Sequence, residues 1–147
     1  MASDAPSVRA EVAAVLRERG TVVVEVDDGP SVAVEVADED TPDLVVVDLQ
    51  MGNMGAMAVT LELRLEESYG NLPHVPVLML LDRRPDVFLA RRSGAEGWLV
   101  KPLDAMRLRR AATALLGGGT YHDESRQPVP VLVDVPGPAD TEAAAGG

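Results

Sequence analysis

Two short, uninterrupted apolar runs constrain the fold of this chain more than any other feature. Residues 44–47 and 77–81 contain only Val, Leu and Met. Runs this short and this apolar are typical of central strands in a parallel sheet, because helices cover both faces of each strand. We therefore expect an α/β fold built around a parallel sheet.

Amphipathic segments alternate with these predicted strands. Residues 7–19, for example, place Val8, Val12 and Leu16 on one helical face. Further strands are predicted at residues 21–26 and 97–100, and further helices at residues 31–38, 56–67, 87–93 and 104–116. This alternation implies right-handed βαβ units and a doubly wound sheet, in which functional groups gather at the carboxyl ends of the strands.

The composition narrows the function classes. With 24 acidic against 13 basic residues, the formal charge is -11, so the surface should repel nucleic acid. The chain has no cysteine, which excludes disulfides and thiolate metal sites. It also lacks a signal segment and any apolar run near the roughly 20 residues that span a bilayer. We therefore expect a cytoplasmic protein that binds neither nucleic acid nor membrane directly.

Two charged residues directly follow predicted strands. Asp48 comes after the apolar run at residues 44–47, and Lys101, the only lysine of the chain, follows the strand at residues 97–100. Both side chains should lie at the same edge of a parallel sheet, where they would form a site. Taken singly, each has a simpler explanation: Asp48 as a helix cap, and Lys101 as a partner in an exposed salt bridge.

Four segments, in their order along the chain, resemble the motifs of bacterial response regulator receiver domains. They are SDAPSV at 3–8, PDLVVVDLQMGNMG at 42–55, VPVLMLLDRR at 75–84 and GAEGWLVKP at 94–102. The resemblance implies a flavodoxin-like parallel sheet with strand order 2-1-3-4-5. It divides the chain into a receiver domain at residues 1–117 and a linker and tail at residues 118–147.

The resemblance also implies a phosphoryl-transfer site. Asp48 matches the residue that accepts a phosphoryl group from a histidine kinase, and Lys101 matches the lysine that assists the transfer. Asp4, Asp48 and the backbone carbonyl of Gln50 match the positions that bind Mg²⁺. Because Ser3 stands where the family usually has a second carboxylate, we expect Mg²⁺ to bind weakly.

Two positions that carry the signal in the resembling family are altered here. Leu81 stands where a Ser or Thr hydroxyl bonds the phosphoryl group, and leucine cannot donate a hydrogen bond. Trp98 replaces the usual switch Tyr or Phe, and it is interpreted either as a switch or as a core or interface aromatic. We expect the response to phosphorylation to be degenerate.

Basic residues are concentrated in the second half of the predicted domain. This region forms the partner-binding face in the resembling family, although a solvated helix surface is an equal alternative. The arginines concerned are Arg83, Arg84, Arg91, Arg92, Arg107, Arg109 and Arg110.

The start of the chain departs from the family pattern. The acidic segment begins at Ser3, so no residues are left for the family's first strand, which lies between the second and the third. A gap there would expose apolar surface and unpaired backbone groups. Residues 129–135 are the one spare strand-like run, and they would bring Asp134 near Asp4. A circular rearrangement and a misplaced start codon both stay open as explanations.

These features favour a stand-alone receiver in a two-component phosphorelay, with Asp48 as phosphoacceptor. Its partner would be a histidine kinase or another signalling protein, and homodimer formation stays open. A phosphorylation-independent pseudo-receiver that serves as an interaction scaffold is the first alternative. A small enzyme that uses the strand-end carboxylates is the second, but no His, Cys or Ser is placed as an additional base or nucleophile. We therefore expect no enzymatic activity.

Overall fold

The structure, a computed structural model, describes residues 1–123. Helices and strands alternate along most of this range, as the sequence predicts. In chain order the elements are α1 (Pro6–Arg17), α2 (Pro30–Ala37), β1 (Val45–Asp48), α3 (Ala56–Ser68), β2 (Val77–Leu81), a 3-10 turn (Arg84–Asp86), α4 (Val87–Ser93), β3 (Gly97–Val100), α5 (Ala105–Leu116) and β4 (Tyr121–His122).

The four strands form one parallel sheet in the order β1-β2-β3-β4. Alternate residues of β1 and β2 pack into two separate apolar clusters. Val47 and Met79 lie in the cluster on the side of α2, α3 and α4, whereas Val46 and Leu80 lie in the cluster on the side of α1 and α5. Helices therefore cover both faces of the sheet, which explains why residues 45–47 and 77–81 are all apolar. The expectation of a doubly wound parallel sheet is confirmed.

The N-terminal residues lie inside the sheet, a position that the sequence does not predict for them. Ala2 forms parallel bridges to Val26 on one side and to Val47 on the other. Residues 1–3 thus lie between residues 21–26 and β1, where the resembling family has its first strand, although the sequence assigns no strand to them. Residues 21–26 are a predicted strand, but within residues 1–123 only Val26 of this segment forms a bridge, while the Val24 carbonyl accepts a hydrogen bond from the Met1 ammonium.

The chain beyond α5 also departs from the expectation. The predicted domain boundary at residue 117 coincides with the end of α5, but the chain then turns and adds β4 beside β3. Gly118 permits this turn because its backbone φ is +86°, a value that residues with a side chain rarely adopt. The predicted strand at residues 129–135, and Asp134 with it, lies outside the described residues. None of the helices within residues 1–123 is both long and apolar enough to span a bilayer.

The buried strands should dominate the stability of the domain. Leu80 is fully buried in β2, whereas Leu61 on α3 is half exposed. We expect Leu80→Ala to lower the free energy of unfolding by about 2–5 kcal/mol, because it leaves a cavity between well-packed elements. The matched Leu61→Ala control should change it by less than about 0.5 kcal/mol. Urea unfolding followed by circular dichroism measures both, and equal losses would contradict this core assignment.

Candidate functional site

Asp48 is buried at the carboxyl end of β1, and both of its carboxylate oxygens have partners. The Ser3 hydroxyl donates a hydrogen bond to Oδ2 over 2.8 Å, and the Lys101 ammonium group donates to Oδ1 over 2.8 Å. Only 3% of the residue is exposed, so the carboxylate depends on these donors rather than on water. The structure thus brings together Asp48 and Lys101, the two residues on which the predicted site rests.

Lys101 reaches this position because β3 ends beside β2. The Lys101 backbone N–H donates to the Leu81 carbonyl over 2.8 Å, which holds the start of the lysine side chain at the sheet edge. Its ammonium group also donates to Asp82 Oδ1 over 3.0 Å. Burial would lower the pKa of Lys101, but hydrogen bonds and charge attraction from Asp48 and Asp82 outweigh it and raise the pKa above its ordinary value.

Asp82 is a third charged residue of this cluster, and the sequence analysis does not identify it. It follows Leu81, the last residue of β2, and its position alone gives a signal because it is a carboxylate directly after a central strand. Its side chain is partly exposed, at 39%, whereas that of Asp48 is almost fully buried. Lys101 therefore bridges a buried carboxylate and a partly exposed one.

Asp4 and Gln50 lie at the same edge of the sheet, in two neighbouring loops. The Asp4 Oδ2 atom accepts a hydrogen bond from the Gly52 N–H over 2.6 Å, and Asp4 is exposed. Gln50 is exposed in the loop after β1. Within residues 1–123, no three His, Asp or Glu side chains cluster in a way that could hold a metal ion. Two carboxylates and a backbone carbonyl still match the preference of Mg²⁺ for a few oxygen ligands and several waters.

Ser3 is fully buried and takes part in more contacts than its predicted role suggests. Its hydroxyl accepts a hydrogen bond from the Ala5 N–H over 3.1 Å while it donates to Asp48. The Arg9 guanidinium donates to the Ser3 carbonyl over 2.6 Å. A neutral side chain therefore occupies the space beside Asp48 where the resembling family has a carboxylate.

The two altered signalling positions are both buried. Leu81 is completely inaccessible to solvent, and Trp98 is 2% exposed. The Trp98 ring stacks on His122 with 4.1 Å between ring centroids and 3° between planes, and the Arg91 guanidinium lies 5.6 Å from its centroid. The indole N–H has no hydrogen-bond partner among the described residues. Trp98 is therefore a core aromatic in this structure, held between β4 and α4.

The predicted arginine face is divided by its ion pairs. Arg107 binds Asp104 and the buried Asp123, and it also donates to the carbonyls of Val100 and Pro102. Arg109 instead pairs with Glu18, just beyond α1, over 3.2 Å. Asp123 also accepts a hydrogen bond from the Val100 N–H over 2.9 Å, so Arg107 is part of the seam between β3, β4 and α5. Arg109 points to a different side of the molecule.

The sequence and the fold identify the family. The response regulator receiver domain family matches residues 1–113 of the 147. The chain belongs to this family. Receiver domains are the signal-receiving modules of two-component systems.

Individual relatives support the same assignment. Protein PilH from Pseudomonas aeruginosa is 27% identical over 115 residues, which cover 78% of this chain and 93% of PilH. The transcriptional regulatory protein PdtaR from Mycobacterium tuberculosis is 34% identical over 103 residues, which cover 69% of this chain but only 48% of PdtaR. This receiver domain therefore spans nearly all of one relative and about half of another.

Solved structures show the same fold. The chemotaxis response regulator CheY4 of Vibrio cholerae has a TM-score of 0.66 and 26% identity, and the match covers 78% of this chain and 93% of CheY4. The signal receiver domain of NarL from Mycobacterium tuberculosis has a TM-score of 0.67 and 30% identity, with 80% and 93% covered. The expected receiver fold is thus confirmed.

The raised pKa of Lys101 gives a testable pH dependence. We expect its NMR titration midpoint to lie above the ordinary lysine value of about 10.4, because Asp48 and Asp82 favour the charged form. The pKa of Lys101 is thus higher in the folded chain than in the unfolded chain. The charged lysine therefore contributes its full stability at a pH below the unfolded pKa, and this contribution is lost as the pH rises through the folded pKa. Asp82→Asn should lower the midpoint, whereas Asp43→Asn at an exposed site should not. The single lysine makes the signal unambiguous, and a midpoint below the ordinary value would contradict the assignment.

Proposed function

We propose that this receiver domain accepts a phosphoryl group on Asp48 in a phosphorelay and passes the signal on by protein–protein interaction. The observation that carries the proposal is the 2.8 Å contact between the Asp48 carboxylate and the Lys101 ammonium at the carboxyl edge of the sheet. A carboxylate nucleophile beside a fixed cation is the arrangement that phosphoryl transfer needs, since negative charge spreads over the phosphoryl oxygens.

In the proposed reaction an Asp48 carboxylate oxygen bonds to phosphorus, while the bond between phosphorus and the donor's histidine nitrogen breaks. Lys101 stays charged because of its raised pKa, so its ammonium group neutralises part of the charge on the transferred group. Asp82 holds the other side of that ammonium and fixes its position. Asp4, Asp48 and the Gln50 carbonyl would hold Mg²⁺, which supplies positive charge to the phosphoryl oxygens.

Ser3 sets a condition on this reaction. Its hydroxyl donates to the Asp48 Oδ2 atom and uses one of the two lone-pair directions of that atom, so a cation or a phosphorus atom must approach Oδ2 along the other. Oδ1 is in turn held by Lys101. A neutral residue at position 3 also leaves the cation site with less negative charge, which weakens Mg²⁺ binding relative to a site with a further carboxylate.

Phosphorylation can be tested on the intact chain. Incubation with a small phosphodonor such as acetyl phosphate and Mg²⁺ should add one phosphoryl group, detected by intact mass. Asp48→Asn should abolish the addition, because it removes the nucleophile, and omission of Mg²⁺ should strongly reduce it. Asp43→Asn, which removes an exposed carboxylate just before β1, serves as the matched control. A phosphoryl group that persists in Asp48→Asn would refute the role of Asp48.

A phosphorylation-independent interaction scaffold is the second candidate function. The observation in its favour is that Leu81 provides no hydroxyl to the site while Trp98 is packed between His122 and Arg91. A phosphoryl group on Asp48 then has no hydrogen-bonded route through these two residues to the surface near α4 and α5. In both candidates the chain is a cytoplasmic signalling module with a protein partner and without catalytic turnover of a substrate.

The two candidates differ in how the site couples to the surface. With Leu81 in place, beryllofluoride, a phosphoryl analogue, should leave the backbone amide shifts of α4 and α5 nearly unchanged, since no hydroxyl can follow the bound group. Leu81→Thr restores a hydroxyl and should produce shifts in the loop that follows β2. Leu81→Val, which removes volume without adding a donor, is the matched control. Large shifts around Trp98 in the unaltered chain would show that another route carries the signal.

A further inference from the structure

The peptide unit between Val100 and Lys101 is held on both of its sides. Its N–H group, which belongs to Lys101, donates to the Leu81 carbonyl of β2 over 2.8 Å. Its carbonyl, which belongs to Val100, accepts hydrogen bonds from two nitrogens of the Arg107 guanidinium, at 3.3 Å and 3.4 Å. The backbone from which the Lys101 side chain extends is therefore fixed between β2 and α5.

The same guanidinium also holds the loop that follows Lys101. The Arg107 Nη2 atom donates to the Pro102 carbonyl over 2.5 Å, and Nε donates to the Asp104 carboxylate over 2.6 Å. Arg107 thus binds one carbonyl before Lys101 and one after it. A guanidinium can do this because its five donors lie in a rigid plane, so it meets several acceptors at once.

Asp123, which directly follows β4, completes these contacts from the side of β3 that faces away from β2. Its carboxylate accepts a hydrogen bond from the Val100 N–H over 2.9 Å and binds Arg107 Nη1. Its own N–H donates to the Trp98 carbonyl over 3.2 Å, as in a parallel ladder. The next bond of that ladder would run from the Val100 N–H to the Asp123 backbone carbonyl. The Asp123 side chain takes the place of that carbonyl and adds a negative charge for Arg107.

The ion pair between Arg107 and Asp123 is largely removed from solvent. The Asp123 side chain is 2% exposed and the Arg107 side chain is 19% exposed. Such a pair gives little net stability, because the cost of removing two charges from water offsets their attraction. Removal of one partner leaves the other charge buried without compensation, so the remaining side chain has to move. The position of Arg107 therefore depends on Asp123 as well as on Asp104.

Lys101 needs this support because its side chain is a long, flexible stem with a compact charge at its end. The ammonium group lies 2.8 Å from Asp48 Oδ1 and 3.0 Å from Asp82 Oδ1. Any shift of the Lys101 backbone moves the start of this stem and therefore the ammonium group. Misplacement of a reacting or assisting group by about 1 Å can lower a rate about a hundredfold.

We propose that Arg107 and Asp123 are positioning residues for Lys101. They hold the backbone on the two sides of Lys101, and this backbone position directs the ammonium group to Asp48. Their effect on phosphoryl transfer rests on the function proposed above, whereas their effect on the order of the Lys101 side chain does not. The segment added after α5 thereby supplies a residue that shapes the site at the end of β1.

Carbon NMR relaxation of the Lys101 side chain tests the positioning role without any phosphorylation. The chain has a single lysine, so its ε-methylene gives one signal. Asp123→Asn keeps an acceptor for the Val100 N–H but removes the charge that holds Arg107. The order parameter of the ε-methylene should therefore fall from above about 0.6 to below that value. Arg107→Gln, which removes the other partner, should give the same loss.

Glu18→Gln is the matched control, because it removes the ion pair of Glu18 with Arg109 on the same helix. The order parameter of Lys101 in this variant should equal that of the unaltered chain. Circular dichroism checks that all three variants are folded. An order parameter that stays unchanged in a folded Asp123→Asn or Arg107→Gln variant would overturn the proposal.

Phosphorylation rates separate positioning from a general effect on the fold. With acetyl phosphate and Mg²⁺, intact mass over time should show that Asp123→Asn lowers the rate at Asp48 at least about tenfold. In a Lys101→Ala chain, which reacts slowly, the same substitution should cause no further loss, because the group that it displaces is already gone. Equal losses with and without Lys101 would overturn the positioning role. An unaltered chain that gains no phosphoryl group would refute phosphorylation at Asp48, and the order of Lys101 would then decide the positioning role alone.

Discussion

The double bridge of Ala2 is the interaction on which both the sheet and the site depend. Ala2 pairs with Val26 and Val47, and its carbonyl accepts the Asp48 N–H over 3.0 Å. The same residue therefore joins the two halves of the sheet and fixes the backbone of the proposed phosphoacceptor. Ser3 and Asp4 follow directly, which brings the Ser3 hydroxyl to Asp48 and the Asp4 carboxylate to the loop after β1. Any change in the position of residues 1–3 must alter both.

Burial and strand geometry explain which features could be predicted from the sequence. The apolar runs predicted β1 and β2 because helices on both faces leave no place for polar side chains. The contact between Asp48 and Lys101 followed from the convergence of parallel strand ends and from the family resemblance. Residues 21–26 were less predictable, since β-branched composition favours a strand but pairing requires a neighbour. Asp82 and β4 depend on tertiary contacts, namely the reach of Lys101 and the packing of Trp98 on His122.

The apolar replacement at Leu81 and the added strand β4 act on the same part of the molecule. Leu81 is a buried apolar side chain between the site and α4, and it cannot donate a hydrogen bond to a phosphoryl group. On the other side, β4 stacks His122 on Trp98, and Asp123 ties Arg107 to the end of β3. Movement of Trp98 would break the stack and expose a large aromatic surface. These contacts therefore tie the surface near α4 and α5 to β3 and β4.

The charge distribution limits how a partner can be recognised. The chain carries a formal charge of -11, and its one lysine is already bound between two carboxylates at the site. Long-range repulsion thus opposes an acidic partner, but salt screens this repulsion beyond about 8 Å. Within that range, Arg83 and Arg91 present positive charge around the 3-10 turn and α4, and Phe88 beside them is 74% exposed. The net charge of the domain therefore does not describe the local surface around α4, where exposed apolar and positively charged side chains lie side by side.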